Sequence, residues 1–595
     1  MFRTLTSLLL LLGLTELAGC TPSVSPSQPP VVGPGRKALA PTSILTDETD
    51  ASGIDFVHVA GETGELFLPE VMGAGCALFD YDNDGDLDLY LVQGCDLKPT
   101  PDIRRWRDRL YRNDLGSPGQ APRFTDVTEA SSITGFGYGM GVATGDFNND
   151  GHVDLYVTNL DSNQLLRNNG NGTFTDVTGS SGTDDPRWST SATFFDYDRD
   201  GWLDLFVANY VDFSVDRKRE CFAASSARDY CGPDAYNPVS DRLFHNLRDG
   251  TFEDVTRTSG IDSVSAAGLG VVAADLNGDG WTDLYVANDG DPNHLWINQH
   301  GSGAFVDEAL LAGVALNSVG QAEAGMGVDA ADFDGDGDDD LFVTNLERES
   351  STIYVNLGRG LFEDRTIPLG LHAATLPYTS FGTRFFDYDN DGWLDLLLVN
   401  GAVRIIDEQA RSGEARPLRM PSQLFRNTGR ASFEDVTAQA GVAVSHPDIL
   451  RGAAFGDIDN DGDTDVVVTS NGGRARLLLN QVGNRGHWLG LQLLEQGSGR
   501  DSLQARVEVI EQGGRIIWRR CHTDGSYCSA GDPRVLVGLG EVNQPPTVRV
   551  HWPAGTTEEW PSLAVDRYWT LRHGEGSVVE PTGKNGPLTR TMGKQ

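Results

Sequence analysis

The chain has 595 residues, with 86 Asp plus Glu against 46 Lys plus Arg, for a formal net charge of −40. That balance excludes a nucleic-acid binder and a protein held on anionic lipid by basic patches. Hydrophobic residues at 39% can build cores, so the chain as a whole is not disordered, and 71 Gly beside so many Asp point to many tight turns.

In chain order, residues 1–20 read as an export signal. Arg3 precedes a short apolar run, Leu5 to Leu14, too short to span a bilayer. Leu17-Ala18-Gly19-Cys20 resembles a bacterial lipobox, which implies a lipoprotein lipidated at Cys20 and held to a membrane by its acyl chains, facing periplasm or cell surface. An ordinary secretory signal with a coincidental Cys is the other reading. Residues 21–41 are Pro- and Ser-rich and read as a tether. The six other Cys suit disulfides in an exported chain, and sequence neighbours suggest Cys76–Cys95, Cys221–Cys231 and Cys521–Cys528. No C-x-x-C pair supports zinc.

The strongest signal is a loop, D-x-D/N-x-D-G-x-x-D, repeated seven times over residues 42–483. Its positions 1, 3, 5, 7 and 9 are Asp80, Asp82, Asp84, Asp86 and Asp88; Asp146, Asn148, Asp150, His152 and Asp154; Asp196, Asp198, Asp200, Trp202 and Asp204; Asp275, Asn277, Asp279, Trp281 and Asp283; Asp332, Asp334, Asp336, Asp338 and Asp340; Asp387, Asp389, Asp391, Trp393 and Asp395; Asp457, Asp459, Asp461, Asp463 and Asp465. Calcium takes about six to eight hard oxygen ligands, and alternate carboxylates on a short loop with Gly at position 6 supply them. Position 7 offers its backbone carbonyl, and Asp at position 9 closes the site. Of the 28 positions at 1, 3, 5 and 9, 26 are Asp and none is Glu, which argues for ligands fixed to the length of Asp. Without a cation, three or four carboxylates in one turn would repel. Up to seven calcium ions follow, with Asn148 and Asn277 weakening the second and fourth sites.

Around each loop lie a small-residue strand before, an apolar strand after, a third strand ending in Asn, and an F-x-D-V-T-like fourth. Four strands per repeat in seven repeats predict an all-β, seven-bladed β-propeller of four-stranded blades. The seventh repeat lacks its last strand, and residues 44–49 resemble it, so the N-terminal end is expected to close the ring.

These repeats resemble the FG-GAP/VCBS calcium-loop repeats of integrin-α-like propellers. Residues 484–580, with Val537-Gly538-Leu539-Gly540-Glu541 and Trp552-Pro553-Ala554-Gly555, look like the ASPIC/UnbV domain of the cartilage acidic protein family. Where that family has Gly-Ala-Arg, this chain has Gln504-Ala505-Arg506. The resemblance implies a calcium-stabilised extracellular module and no defined reaction. Period-2 patterns make residues 484–580 a small C-terminal β-sandwich, and residues 581–595 read as a disordered tail.

Three connections are long, Gly94–Arg109, Tyr210–Asp241 and Gly401–Ser422, and share the face opposite the loops. With Tyr210, Phe213, Phe222, Tyr230 and Tyr236 they are expected to receive an extracellular protein or glycan, which makes the chain a non-enzymatic recognition or adhesion module. The alternative is an exported propeller enzyme, a polysaccharide lyase or sugar oxidoreductase, needing Tyr138, Arg187, Trp188, Tyr378 or Arg451 to converge at the axis. No G-x-S-x-G, H-E-x-x-H or phosphate-cradling loop supports catalysis.

Overall fold

The computed structural model describes residues 43–579 apart from 99–105, 134, 136, 224 and 431. The signal with Cys20, the tether and the 581–595 tail lie outside the described residues.

Seven four-stranded antiparallel sheets follow one another, and the first strand of each packs on the first strand of the next around a closed circuit. Blade 1 is typical: Cys76–Phe79, Asp88–Leu91, Arg109–Asn113 and Phe124–Asp126. Leu, Val and aromatic residues fill the second strands, as a surface buried on both faces requires. Blade 7 takes Leu450–Gly456, Asp465–Ser470 and Arg476–Asn480 from one end of the repeat region and Leu45–Asp47 from the other. Leu45 pairs with Asn480 and Asp47 with Leu478, so the expected N-terminal strand closes the ring.

Residues beyond 486 form two packed sheets. One holds His487–Leu494 between Val535–Gly540 and Tyr568–Arg572. The other has five strands, including Arg506–Ile510, Ile516–Arg520 and Thr547–His551. Their apolar residues share one buried cluster with blades 2 and 3. Gln504, at the position where the family has Gly, takes a left-handed φ of 68°, a conformation that Gly adopts without strain.

Between the two sheets the chain from Cys521 to Asp532 enters the propeller axis and hydrogen-bonds all seven inner strands. Ala530 N–H donates to Cys76 O at 2.9 Å, and Val142 N–H donates to Cys528 O at 3.1 Å. Ser191 Oγ accepts from Cys528 N–H at 3.0 Å, and Ala273 N–H donates to Asp524 Oδ2 at 2.8 Å. Val328 N–H donates to Ser526 O at 3.0 Å, Arg384 Nη2 lies 3.1 Å from His522 Nε2, and Asp532 N–H donates to Phe455 O at 2.9 Å. This plug explains the small residues of the inner strands. A Cβ on Gly75 would sit 1.7 Å from Cys528 O, and one on Gly141 would sit 2.9 Å from Cys528 Cβ.

The plug also overturns two of the three expected disulfides. Cys221–Cys231 is bonded, whereas Cys76, Cys95, Cys521 and Cys528 are free thiols. Cys521 follows a strand of the tail sandwich while Cys528 is carried into the axis, so the intervening residues hold the two apart. Cys76 lies on the inner strand of blade 1, its Sγ 3.9 Å from Ser529 Oγ, while Cys95 lies four residues past its strand partner Leu91.

Candidate metal centre

Each D-x-D/N-x-D-G loop joins the first and second strands of its blade and folds the same way. The N–H groups of positions 5 and 6 donate to the carboxylate of position 1, as Asp84 and Gly85 do to Asp80 at 3.1 and 2.9 Å. The N–H of position 7 donates to the carboxylate of position 5, as in Trp202 to Asp200 at 2.8 Å. The position-6 glycines have φ between 82° and 95°, and position 4 is left-handed too, at Asn83, Asn149, Arg199, Gly278, Gly335, Asn390 and Asn460. Asn and Gly tolerate that conformation best, which accounts for their prevalence there.

Position 9 is the buried hub. Asp88 Oδ2 accepts from Tyr81 N–H at 2.9 Å, and its Oδ1 accepts from Asn113 N–H at 2.8 Å. The same pair recurs at Asp154, Asp204, Asp283, Asp340, Asp395 and Asp465. The Asn of the third strand then donates through Nδ2 to the position-2 carbonyl of the preceding blade's loop. Asn168 reaches Tyr81 O, Asn246 reaches Phe147 O, and the series closes with Asn480 to Tyr388 O and Asn113 to Ile458 O. Sequence reading saw this recurrent Asn as a strand ending; its place is an inter-blade link.

The donor sets fit a hard divalent cation. Carboxylate oxygens of Asp80, Asp82 and Asp88 lie within 4.8 Å of one another, as do those of Asp196, Asp198 and Asp204, of Asp332, Asp334 and Asp336, and of Asp387, Asp389 and Asp395. Asp82 Oδ1, Asp389 Oδ1 and Asp459 Oδ1, all at position 3, are buried without a hydrogen-bond partner. A buried acceptor left unpaired is costly unless a cation takes it. Burial pushes Asp88 up to about 9, and the charges of Asp82 and Asp80 press the same way. Burial and neighbouring carboxylates also raise Asp154, Asp283, Asp340, Asp395 and Asp465 well above the usual range. A cation within such a loop reverses that balance. In the second and fourth loops Asn148 and Asn277 turn their amides onto Asp150 and Asp279, at 2.9 and 3.2 Å.

One more ligand candidate was missed. His245, in the third strand of blade 3, has Nδ1 at 3.0 Å from Asp204 Oδ1 and groups with Asp198 and Asp200 at metal-holding distances. The hydrogen bond to Asp204 raises its pKa. The signal was available: the residue before the third-strand Asn is Arg in three repeats, aliphatic in three and His only here.

The loops also form the seat of the tail domain. In five loops the carbonyl of the position-6 glycine accepts from the position-4 side chain of the neighbouring loop: Asn460 to Gly85, Asn83 to Gly151, Asn149 to Gly201, Arg199 to Gly280 and Asn390 to Gly462. The neighbours of Gly337 and Gly392 carry Gly278 and Gly335 at position 4, which have no side chain. There the tail domain supplies the donors, Arg506 to Gly337 O and Arg519 to Gly392 O. Arg534 Nη2 further donates to Asp457 O at 2.9 Å. Arg506, Arg519 and Arg534 are among ten Arg in residues 484–580, and nothing in their local sequence marks them as facing the acidic loops.

The residues needed for an axial catalytic cluster are engaged elsewhere. Arg451 is fully buried and donates to the carbonyls of Val71, Gly401, Leu450 and Ala402. Tyr138 Oη donates to Ala60 O, Arg187 pairs with Asp185 at 3.1 Å, and Trp188 packs edge-on against Tyr210. Tyr378 packs at the edge of an apolar cluster that includes Tyr138 and Trp188.

The FG-GAP-like repeat model matches residues 80–157, 146–207, 212–286, 275–343 and 332–398, and four of these five windows begin on a position-1 Asp. The chain belongs to the FG-GAP-like repeat family. The ASPIC and UnbV model matches residues 495–578, within the tail sandwich. Cartilage acidic protein 1 of Homo sapiens is 32% identical over 166 residues, which is 27% of this chain and 24% of that protein. The Xenopus tropicalis protein of the same name is 31% identical over 163 residues, 27% of this chain and 25% of its own. The chain thus spans about a quarter of the length of the curated relatives it matches. Among solved structures, an Agrocybe aegerita lectin described as recognising non-reducing terminal N-acetylglucosamine aligns at TM-score 0.38 and 15% identity, covering 67% of this chain and 86% of its own. BBS1N in complex with ARL6DN, soaked with mercury, aligns at TM-score 0.36 and 10% identity, over 74% of this chain and 97% of its own.

Proposed function

We propose that this FG-GAP repeat protein is an exported, calcium-stabilised, non-enzymatic recognition or adhesion module, anchored to a membrane by a lipid on Cys20. Calcium in the seven loops fixes the ring, and the ring presents a binding face on its other side. The observation that carries the reading is the plug. With Cys521 to Asp532 filling the axis, recognition falls to the surface, where the long insertions meet. Ile405 N–H donates to Asp229 Oδ1 at 3.0 Å, and Arg228 Nη2 donates to Glu65 O at 2.9 Å, so segments of blades 6, 3 and 1 touch over that mouth.

The aromatic residues there mostly pack on one another rather than outward: Tyr210, Trp188, Phe213 and Tyr236 form a chain of edge contacts. What projects is the hairpin of Cys221–Phe222 and Arg228–Asp229, pinned by Cys221–Cys231, with Phe222 60% exposed. An apolar tip on a disulfide-braced hairpin suits an extracellular protein surface. A cavity of about 520 Å³ between the tail domain and the loops of blades 1 and 2, lined by Leu87, Val153, Gln492, Arg500 and Asp501 among others, supports a second reading in which a glycan is the ligand.

Replacing residues 222–227 by a Gly-Ser link of the same length in the full chain, which keeps Arg228, Asp229 and the Cys221–Cys231 bridge, tests the assignment. The melting temperature is expected to stay within a few degrees, while capture of surface-protein fractions falls to background and glycan-array signal persists. Protein capture retained by the link variant contradicts the assignment.

A further inference from the structure

The seventh loop differs from the other six. Position 7 is Asp463, which is fully buried, whereas the position-7 Asp86 and Asp338 of the first and fifth loops are partly exposed. Asp457, Asp459 and Asp465 are buried as well, so among the five carboxylates only Asp461 retains partial exposure. Asp459 Oδ1 and Asp463 Oδ1 both lack a hydrogen-bond partner. Asp461 N–H donates to Asp457 Oδ1 at 3.0 Å, and Asp461 and Asp463 both bond to Asn484, so these carboxylates share one turn. The third-strand residue beside this loop is Leu479, where the sixth loop has Arg426 paired to Asp389 and Asp391.

The burial comes from the tail domain. Asn484 donates its N–H to Asp463 Oδ2 at 3.0 Å and its amide to Asp461 Oδ2. Tyr568 Oη donates to Asp457 Oδ2 at 2.7 Å. The Trp488 ring lies so close to Gly462 that a Cβ there would sit 1.8 Å from it.

We propose that the seventh loop holds its divalent cation as a closed site, with the Asp463 carboxylate as an extra ligand, and that this ion leaves only when the tail domain lifts away. Two unpaired buried oxygens mark where the ion is gripped. Three tail residues, Asn484, Trp488 and Tyr568, cover it. Five hard oxygen donors select calcium over softer ions. Asp463 is at once a ligand and the acceptor that holds Asn484, so the ion and the domain contact stabilise each other. The inference rests on the calcium reading above.

The test is stopped-flow release of calcium from the loaded full-length protein into a fluorescent chelator. Two phases are expected, one of them about a single equivalent and at least tenfold slower than the rest. Tyr568→Phe, which removes only the capping hydroxyl, should speed the slow phase several-fold. Asp463→Asn should abolish it while the fast amplitude is retained. A single phase, or a slow phase unchanged in both variants, overturns the inference and leaves the other six sites standing. No calcium released in any phase overturns the calcium reading itself.

Discussion

Stripping divalent cations is expected to lower the melting temperature by on the order of 10 °C or more, because each loop concentrates carboxylates whose charge a bound cation would offset. Burial pushes Asp88 up to about 9, and Asp196, Asp332 and Asp387 to about 7, in loops that recur in every blade. A ligand bound only to the native state stabilises it by about 2.7 kcal/mol per site at a hundredfold excess over its Kd. The loops are tied to the fold: the third-strand Asn residues link each position-9 Asp to the loop before it, so loss of one ion is expected to loosen a neighbouring blade. Scanning calorimetry in calcium and in chelator reads the difference. Coincident transitions would mean that the loops are held by hydrogen bonds alone.

Deleting residues 43–47 is expected to open the ring rather than fray one end. Leu45 is buried and pairs with Asn480, and Thr49 Oγ1 just beyond accepts from Leu477 N–H at 2.9 Å. Asn480 donates in turn to Tyr388 O of blade 6 and to Asp465 Oδ1 of the seventh loop. Losing the closing strand exposes the outer edge of blade 7 and removes a leucine whose burial is worth about 2–5 kcal/mol. Hydrogen exchange in the deletion variant should rise in the inner strands of blades 1, 6 and 7 together. Faster exchange confined to Arg476–Asn480 would show that the N-terminal strand only decorates a ring closed by other contacts.

What could be read from the chain was what it encodes locally. A loop that folds on its own nine residues repeats its ligands in sequence order, so Asp80 to Asp88 and their six counterparts were legible. So were the four-strand blades and the missing strand at residues 44–49. What needed three dimensions was not. Residues 522–528, His-Thr-Asp-Gly-Ser-Tyr-Cys, have the composition of a surface turn, yet they pack among the inner strands because Gly75 and Gly141 leave room for Cys528 and Gly327 leaves room for Ser526. Nearness along the chain suggested Cys521–Cys528, but the plug carries Cys528 away into the axis. The role of Arg506 and Arg519 also needs three dimensions, because it depends on Gly278 and Gly335, far away in sequence, leaving two loop carbonyls for them to cap. Arg451 and Trp188, candidates for an axial cluster, serve packing because the plug takes the axis.

Counting bound calcium by equilibrium dialysis against the radioactive ion tests the central claim most directly. The account requires close to seven ions per chain, with the loops of Asn148 and Asn277 the last to fill. A chain that takes up no more calcium than a variant with the position-1 and position-9 aspartates changed to asparagine would contradict it.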